Sequence, residues 1–257
     1  MKTVLGTGAN GQLGLAIQAA TANFPKLQFF FAGKAELDVT SPQQIEAFFK
    51  ANAIDVCINA AAYTHVDKAE EATEAAYLLN ETAPRLLAEA CKQHSVFFIH
   101  ISTDYVFDGT KGAPYTTADK PNPINVYGAS KLAGEKATAN VGGDHCIVRT
   151  SWLYSEYGNN FQTRILAMAK AAPYLEVVND LYGTPTYAPN LVVFLLNKIN
   201  DSAFANHVEH FSDGITMSWH ALAKRITQIK VKEIASEALN LKANRPKNTA
   251  ILNYLNE

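Results

Sequence analysis

The feature that most constrains this chain is the run Gly6-Thr7-Gly8-Ala9-Asn10-Gly11-Gln12-Leu13-Gly14. A short apolar strand, Thr3-Val4-Leu5, precedes it, and a helical pattern, Leu15-Ala16-Ile17-Gln18-Ala19-Ala20, follows. Strand, glycines and helix in that order force a tight turn whose backbone can lie against a ligand. The first turn of the helix then offers unpaired N–H groups to a phosphate. The pattern predicts a βα unit that binds the pyrophosphate of a dinucleotide. Two registers fit: Gly6, Gly8 and Gly11, or Gly8, Gly11 and Gly14.

The rest of the chain repeats the alternation. Apolar strands are expected at Leu27–Ala32, Asp55–Ile58, Val96–Ile101 and Cys146–Val148, with a sixth at Leu175–Val178 and a further one at His207–Phe211. Helices are expected between them. Ser41 is an N-cap followed by Pro42, and Gln44 completes a capping box. Ala72 to Gln93 reads as one helix with Leu78, Leu79, Leu86, Leu87 and Ala90 on its packing side. Phe161 to Ala172 reads as a helix with an apolar face of Ile165, Leu166 and Ala169. Gly183 to Pro189 reads as a rigid loop before a helix over Asn190–Asn200, and a last helix starts at Ser218. Strands alternating with helices give an α/β fold: a Rossmann-type doubly wound parallel sheet with a small C-terminal subdomain.

Composition permits this. Hydrophobic residues make up 48% and charged residues 18% of 257 positions, enough for a sizeable core. A net charge of −2, with no basic run, speaks against nucleic acid or a membrane surface as partner. No apolar run approaches the ~18 residues of a membrane span, and the start carries no signal-peptide pattern. Cys57, Cys91 and Cys146 sit among apolar neighbours and read as free buried thiols. A cytoplasmic location is the expectation. The seven histidines show no ligand spacing, so no metal site is predicted.

Several strand ends carry candidate chemistry. After the second strand stands Gly33-Lys34 where an acid would read a ribose hydroxyl. Lys34 either pairs with a 2′-phosphate, favouring NADP(H) over NAD(H), or is solvated. Asp38 faces the adenine side of a cofactor or closes a turn. Asn59-Ala60-Ala61-Ala62-Tyr63-Thr64 follows the third strand with small residues that let a ligand lie close. Ser102-Thr103 places hydroxyls at the end of the fourth, where open α/β sheets bind substrates. Tyr127 and Lys131, four apart, share one face of a helix. An ammonium there is expected to lower the phenol pKa and make Tyr127 a proton donor and acceptor for a carbonyl–alcohol interconversion. Among 11 tyrosines this is the sole Tyr-x-x-x-Lys.

Taken together, the chain resembles the extended short-chain dehydrogenases/reductases and, more narrowly, the dTDP-4-dehydrorhamnose reductase family. The strings that carry the likeness are Gly-Ala-Asn-Gly-Gln-Leu-Gly (8–14), Ala-Tyr-Thr-x-Val-Asp-Lys-Ala-Glu (62–70), Ser-Thr-Asp-Tyr-Val-Phe-Asp-Gly (102–109), Asn-Val-Tyr-Gly-x-Ser-Lys-Leu-Ala-Gly-Glu (125–135) and Arg-Thr-Ser-Trp (149–152). The likeness runs to about Pro189 and is thin beyond.

The resemblance implies an NAD(P)-binding domain over 1–151. Residues 152–257 then hold the remaining strand and helix and a small substrate-binding part. It implies the Gly8, Gly11, Gly14 register, with Gly11, Gln12 and Leu13 along the pyrophosphate. Asp38 and Val39 would flank the adenine, and Ala62, Tyr63 and Thr64 the middle of the cofactor. Thr103 and Tyr127 would hold the sugar's C4 carbonyl, Lys131 the nicotinamide ribose, and Asp104 and Trp152 the nucleotide-sugar substrate. Two positions depart from the family pattern. Gly6 replaces an apolar residue and is expected to loosen the first strand, and the segment 231–244, which shapes the sugar pocket, is shortened. Arg245 is a candidate partner of the diphosphate. Long helices of such domains often pair between subunits, so a homodimer is a candidate assembly. Two other functions share these motifs: nucleotide-sugar dehydration or epimerisation, and a non-catalytic regulatory role like that of a methionine adenosyltransferase subunit. Dehydratases carry Asp-Glu after the catalytic threonine, where this chain has Asp104-Tyr105.

Overall fold

The computed structural model describes residues 1–203 and 206–253. Along them run β1 (Lys2–Thr7), α1 (Gln12–Ala20), β2 (Leu27–Ala32), α2 (Pro42–Ala51), β3 (Val56–Asn59), α3 (Val66–Ala69), α4 (Thr73–Tyr77), α5 (Ala83–Gln93), β4 (Phe97–Thr103), α6 (Val126–Val141), β5 (His145–Thr150) and β6 (Leu153–Tyr154). There follow α7 (Phe161–Ala171), β7 (Tyr174–Val178), β8 (Tyr182–Gly183), β9 (Thr186–Tyr187), α8 (Ala188–Asn200), β10 (His207–Phe211), β11 (Met217–Ser218), α9 (Trp219–Ile226) and β12 (Lys230–Ile234).

Six strands form one parallel sheet in the order β10-β5-β4-β3-β1-β2. Both faces are covered, so its strands are continuous apolar runs and do not alternate with polar residues. Val4, Ile58, Ile99 and Val148 face one layer with Leu13, Ile17, Leu191 and Leu195 of α1 and α8. Leu5, Cys57 and Phe98 face the other, with Ile45 and Phe49 of α2 and Leu87 and Cys91 of α5. Each such side chain contributes about 1.5–3 kcal/mol by burial. The strand order reverses between β1 and β3, which opens a crevice at their carboxyl ends.

The strand completing this sheet is β10, not the segment 175–178. That segment, β7, pairs in parallel with β12 outside the main sheet, from Tyr174 opposite Lys230 to Val178 opposite Ile234. An apolar strand cannot announce its partner, and this one has its own small core of Ile165, Leu175, Val177 and Ala223. Leu166 points outward, 39% exposed, so the apolar face of α7 is narrower than its periodicity suggests. The expected loop before α8 contains β8 and β9. Gly6 does not loosen β1. The strand runs unbroken to Thr7, and the Phe31 ring packs over the missing side chain, 3.4 Å from where a Cβ would stand. At α2 the Ser41 hydroxyl accepts from the Gln44 N–H, but the return arm of the capping box is absent. The Gln44 side chain accepts instead from the Asp38 N–H at 3.0 Å.

Ala72 to Gln93 is helical but not one α-helix. A π turn over Leu78–Thr82 separates α4 from α5. Pro84 has no N–H to give the Asn80 carbonyl, and the π turn absorbs that missing bond. The register changes, and Leu78 emerges 47% exposed where packing was expected. The freed carbonyl faces α6: a Cβ on Gly134 would lie 1.9 Å from it. Near the start of α6, a Cβ on Gly128 would lie 2.1 Å from the Tyr105 carbonyl. Asn125 caps this helix by accepting from the Gly128 N–H at 2.8 Å, and Gly142 ends it in the left-handed region. Gly134→Ala should therefore destabilise the protein by about 2–3 kcal/mol despite the better helix propensity of alanine. The midpoint of urea unfolding followed by circular dichroism measures this, and an unchanged midpoint contradicts the close approach.

Candidate active site

The glycine turn is built as its steric demands require. Gly8 has φ +66°, and a Cβ there would lie 2.7 Å from the Ala61 nitrogen. A Cβ on Gly14 would strike the Gly8 carbonyl at 2.5 Å, so Gly14 brings α1 against the turn and does not itself face outward. The register is thus Gly8, Gly11, Gly14, with Gly6 inside the strand. Gly11 is the N-cap of α1, with no side chain capping the first turn and no acid in it. The Gln12 Oε1 atom is buried without a hydrogen-bond partner. Uncapped N–H groups and a turn with no room for a Cβ are what a pyrophosphate needs; the Gln12 oxygen, an acceptor, is suited to a hydroxyl or N–H donor instead.

A cleft of about 490 Å³ continues from this turn along the ends of β1, β2 and β3. It brings together Gly8, Gly11, Lys34, Asp38, Val39, Ala62 and Tyr63. Gln12, Leu13, Gly14 and Thr64 are not on its wall, and Leu13 packs in the core. Asp38 closes a turn, accepting from the Thr40 hydroxyl at 2.6 Å and N–H at 2.9 Å, and these bonds lower its pKa. Sequence reasoning missed Asn10, Ala75, Leu78 and Leu79, which line the same cleft. It also missed Glu36, which accepts from the Gly33 N–H at 2.9 Å and shapes the loop beneath Lys34. The wall formed by Ala62 and Tyr63 is held by Asn80 of the π turn. Its amide accepts from the Tyr63 N–H at 2.8 Å and donates to the Tyr63 carbonyl and the Ser130 hydroxyl, both at 3.0 Å.

The end of β4 and the first two turns of α6 carry the candidate chemistry. Thr103 is buried, accepts from the Tyr105 N–H at 3.2 Å and donates to Asp104 at 3.1 Å. Tyr127 is half-buried and packs edge-on against Tyr105 at 5.8 Å. Burial pushes the Tyr127 phenol up to about 12, and the Thr103 hydroxyl acts in the opposite sense. This reverses the expectation that Lys131 lowers it. In this structure the Lys131 amino group is turned away, donating to the Ile101 carbonyl at 2.6 Å and lying 3.5 Å from His100 Nε2.

Asp104 lies behind Thr103, 2% exposed. Its carboxyl accepts from Thr103, from Ser151 at 3.0 Å and from Thr249, which ties the returning C-terminal segment to the sheet. Burial raises its pKa to about 6 against the lowering effect of these hydroxyls. Trp152, just after β5, adopts a left-handed backbone with φ +47°. Its ring stacks on Trp219 at 3.6 Å, and its buried N–H has no partner. Arg245 is paired with Asp67 at 2.7 Å, so its charge is already matched. Cys146, His207 and Glu209 present ligand-type atoms within 4.8 Å of one another, a grouping that pairing of β5 with β10 creates and sequence spacing hides. The Lys198 ammonium is ion-paired with Glu209 there.

The family pattern described as RmlD substrate binding domain matches residues 1–256. A dTDP-4-dehydrorhamnose reductase of Sinorhizobium fredii is 37% identical over 95% of this chain and 87% of its own length. One from Burkholderia thailandensis is 36% identical, over 97% and 90%. The chain belongs to the dTDP-4-dehydrorhamnose reductase family. A crystal structure of such a reductase from Bacillus anthracis in complex with NADP superposes with a TM-score of 0.94 and 35% identity, covering 99% of this chain and 92% of that one. The match to the family spans the C-terminal part after Pro189 as well. The cleft lies along the ends of β1, β2 and β3, and Thr103 ends β4, the strand next to β3.

Asp104 gives this site a pH signature. Folded, it keeps its proton to about pH 6. An unfolded aspartate loses it near ~3.9, so between these values the folded state binds more protons and stability falls as pH rises. The contribution is on the order of 3 kcal/mol across that window. Asp104→Asn should remove it. Urea unfolding of both proteins from pH 4 to 7 should show their difference changing over this range, and parallel pH profiles would refute the assignment.

Proposed function

We propose that this chain is an NAD(P)H-dependent reductase of the C4 keto group of dTDP-4-dehydro-L-rhamnose, giving dTDP-L-rhamnose for nucleotide-sugar and surface-polysaccharide synthesis. The observation that carries this reading is the juxtaposition of the Thr103 and Tyr127 hydroxyls at the carboxyl end of β4, the strand next to those whose ends form the glycine-floored cleft. It occurs in a chain that matches the reductase family over its whole length. When bound, the dinucleotide supplies the hydride. The protein supplies the rest. Thr103 and Tyr127 hold the keto oxygen, and Tyr127 gives it a proton. A phenol whose pKa burial raises is a poor base but remains a protonated donor at neutral pH. Lys131 holds the nicotinamide ribose. The α1 N-terminus with Gly11, Gln12 and Leu13 holds the pyrophosphate, Asp38 and Val39 flank the adenine, and Ala62, Tyr63 and Thr64 line the middle. Asp104 and Trp152 orient the sugar, Asp104 through Thr103.

The division of labour follows: residues 1–151 bind cofactor, and 152–257 add the last strand and helix of the sheet and a small part that shapes the sugar site. Among the described residues no helix is long and apolar enough to cross a membrane, which accords with a cytoplasmic enzyme. The open groove between α5 and α6, lined by Arg85, Lys92, Leu132 and Lys136, accords with pairing of two copies. Retention of Thr103, Tyr127 and Lys131 favours catalysis over a purely regulatory role, and Tyr105 in place of a glutamate disfavours dehydration.

The assay is oxidation of NADPH, followed by absorbance, with enzymatically prepared keto sugar. Tyr127→Phe should lower kcat by about 10²–10⁴. No oxidation above that variant's rate would sink the reductase reading. Lys34→Ala should raise KM for NADPH about tenfold while leaving KM for NADH unchanged, as loss of one charge-assisted phosphate contact requires. Equal effects on both cofactors would place Lys34 away from the 2′-phosphate.

A further inference from the structure

A buried polar chain crosses beneath the site. The Thr7 hydroxyl of β1 donates to Asn59 Oδ1 of β3 at 2.7 Å, and the Ala61 N–H donates to the same oxygen at 3.2 Å. Asn59 Nδ2 lies 3.2 Å from His100 Nδ1 on β4, and His100 Nε2 lies 3.5 Å from the Lys131 amine on α6. Thr7, Asn59 and His100 are 0–1% exposed, and Lys131 is 2% exposed.

Donor and acceptor roles along this chain are determined from one end. The Ala61 N–H can only donate, so the Asn59 atom facing it is the oxygen, and the atom facing His100 is the NH₂ group. That group donates, so His100 Nδ1 must accept and the ring proton of the neutral imidazole is on Nε2. Nε2–H points at Lys131. An ammonium has only donors and would oppose it. A neutral amine has a lone pair for Nε2–H and still donates to the Ile101 carbonyl.

The charged groups facing Lys131 do not compensate. On α6, Glu135 stands one turn beyond. Its carboxylate is taken by Arg149 of β5, at 2.9 and 2.7 Å, and by the Ser102 hydroxyl at 2.5 Å. Tyr127 is held protonated by burial, and on β4 the Asp104 carboxyl is taken by the Thr103, Ser151 and Thr249 hydroxyls. Thr7 and Asn59, from β1 and β3, are uncharged. No carboxylate among the described residues is ion-paired with Lys131.

We propose that Asn59 and His100 are positioning residues that set the protonation of Lys131. Asn59 holds the imidazole as its Nε2–H tautomer, and that N–H holds the lysine as a neutral amine in the cofactor-free protein. The inference rests on the reading of Lys131 as part of the reductase machinery and goes beyond it. Burial lowers the Lys131 pKa to about 8 against the raising effect of Glu135, in accord with an amine that exchanges its proton near neutrality. Such a lysine, once protonated, can return a proton to Tyr127 after the phenol has given its own to the substrate oxygen. It then recovers one from solvent.

The test is nuclear magnetic resonance on the intact, cofactor-free protein. With ¹⁵N-histidine labelling, His100, assigned by its loss in His100→Asn, should show a bare Nδ1 and a protonated Nε2. With ¹³Cε-lysine labelling, Lys131, assigned by its loss in Lys131→Met, should titrate near pH 8. Asn59→Asp should reverse the tautomer, because a carboxylate accepts from Nδ1–H and leaves Nε2 as an acceptor for ammonium. The Lys131 midpoint should then rise by about one unit or more. A protonated Nδ1 in the wild-type protein overturns the proposal. So does a wild-type midpoint above ~10, the ordinary lysine range, or an unmoved midpoint in folded Asn59→Asp. The tautomer is read on unsubstituted protein, so it stands even if a variant fails to fold. Neither readout involves turnover, so an enzyme inactive on the keto sugar can still pass and an active one can still fail.

Discussion

The position of α6 is the constraint on which the site depends, and two backbone contacts set it. Gly128 lies against the Tyr105 carbonyl and Gly134 against the Asn80 carbonyl, each with no room for a side chain. Along this stretch the helix carries Tyr127 and Lys131 beside the end of β4. The second contact exists because Pro84 leaves the Asn80 carbonyl without its helical partner. The same residue's side chain then grips both backbone groups of Tyr63 on the cleft wall. A single π turn therefore sets both the height of α6 and the wall of the cleft.

Beneath α6 the sheet is polar where an α/β core is usually apolar. Two networks pass there: Thr7–Asn59–His100–Lys131 and Ser102–Glu135–Arg149. A buried ion pair such as Glu135–Arg149 adds little net stability over apolar packing, because both ions lose their water. Its effect here is directional. It joins β4, β5 and α6 through bonds that tolerate one arrangement, and it occupies the carboxylate that would otherwise neutralise Lys131.

What could be read from the residues was what local sterics impose. Gly8 and Gly14 are demanded by a turn a few residues long, and Tyr127 and Lys131 by one turn of helix. The strands of the sheet, apolar on both faces, were legible for the same reason. His100 was not. A lone histidine in an apolar strand reads as core, and its partners come from β3 and α6. Asp104 was legible as part of a motif, but its tie to Thr249 joins distant segments. The π turn needed both Pro84 and Gly134, which no helical window contains. The separate pairing of β7 with β12 depends on α7 and α9 closing over it, which strand composition does not encode. The lowered pKa expected for Tyr127 failed because helical spacing sets neighbours and not side-chain direction. Lys131 reaches back to Ile101.

The protein has two tryptophans, and they are stacked on each other. Trp152 ends the sheet side of the site and Trp219 begins α9 on the small C-terminal part. All indole absorption and emission of this chain thus comes from one coupled pair at the seam between the two parts. The near-ultraviolet spectrum is a built-in gauge of that seam. A shift of α9, or any group wedged beside Trp152, changes the coupling between the rings.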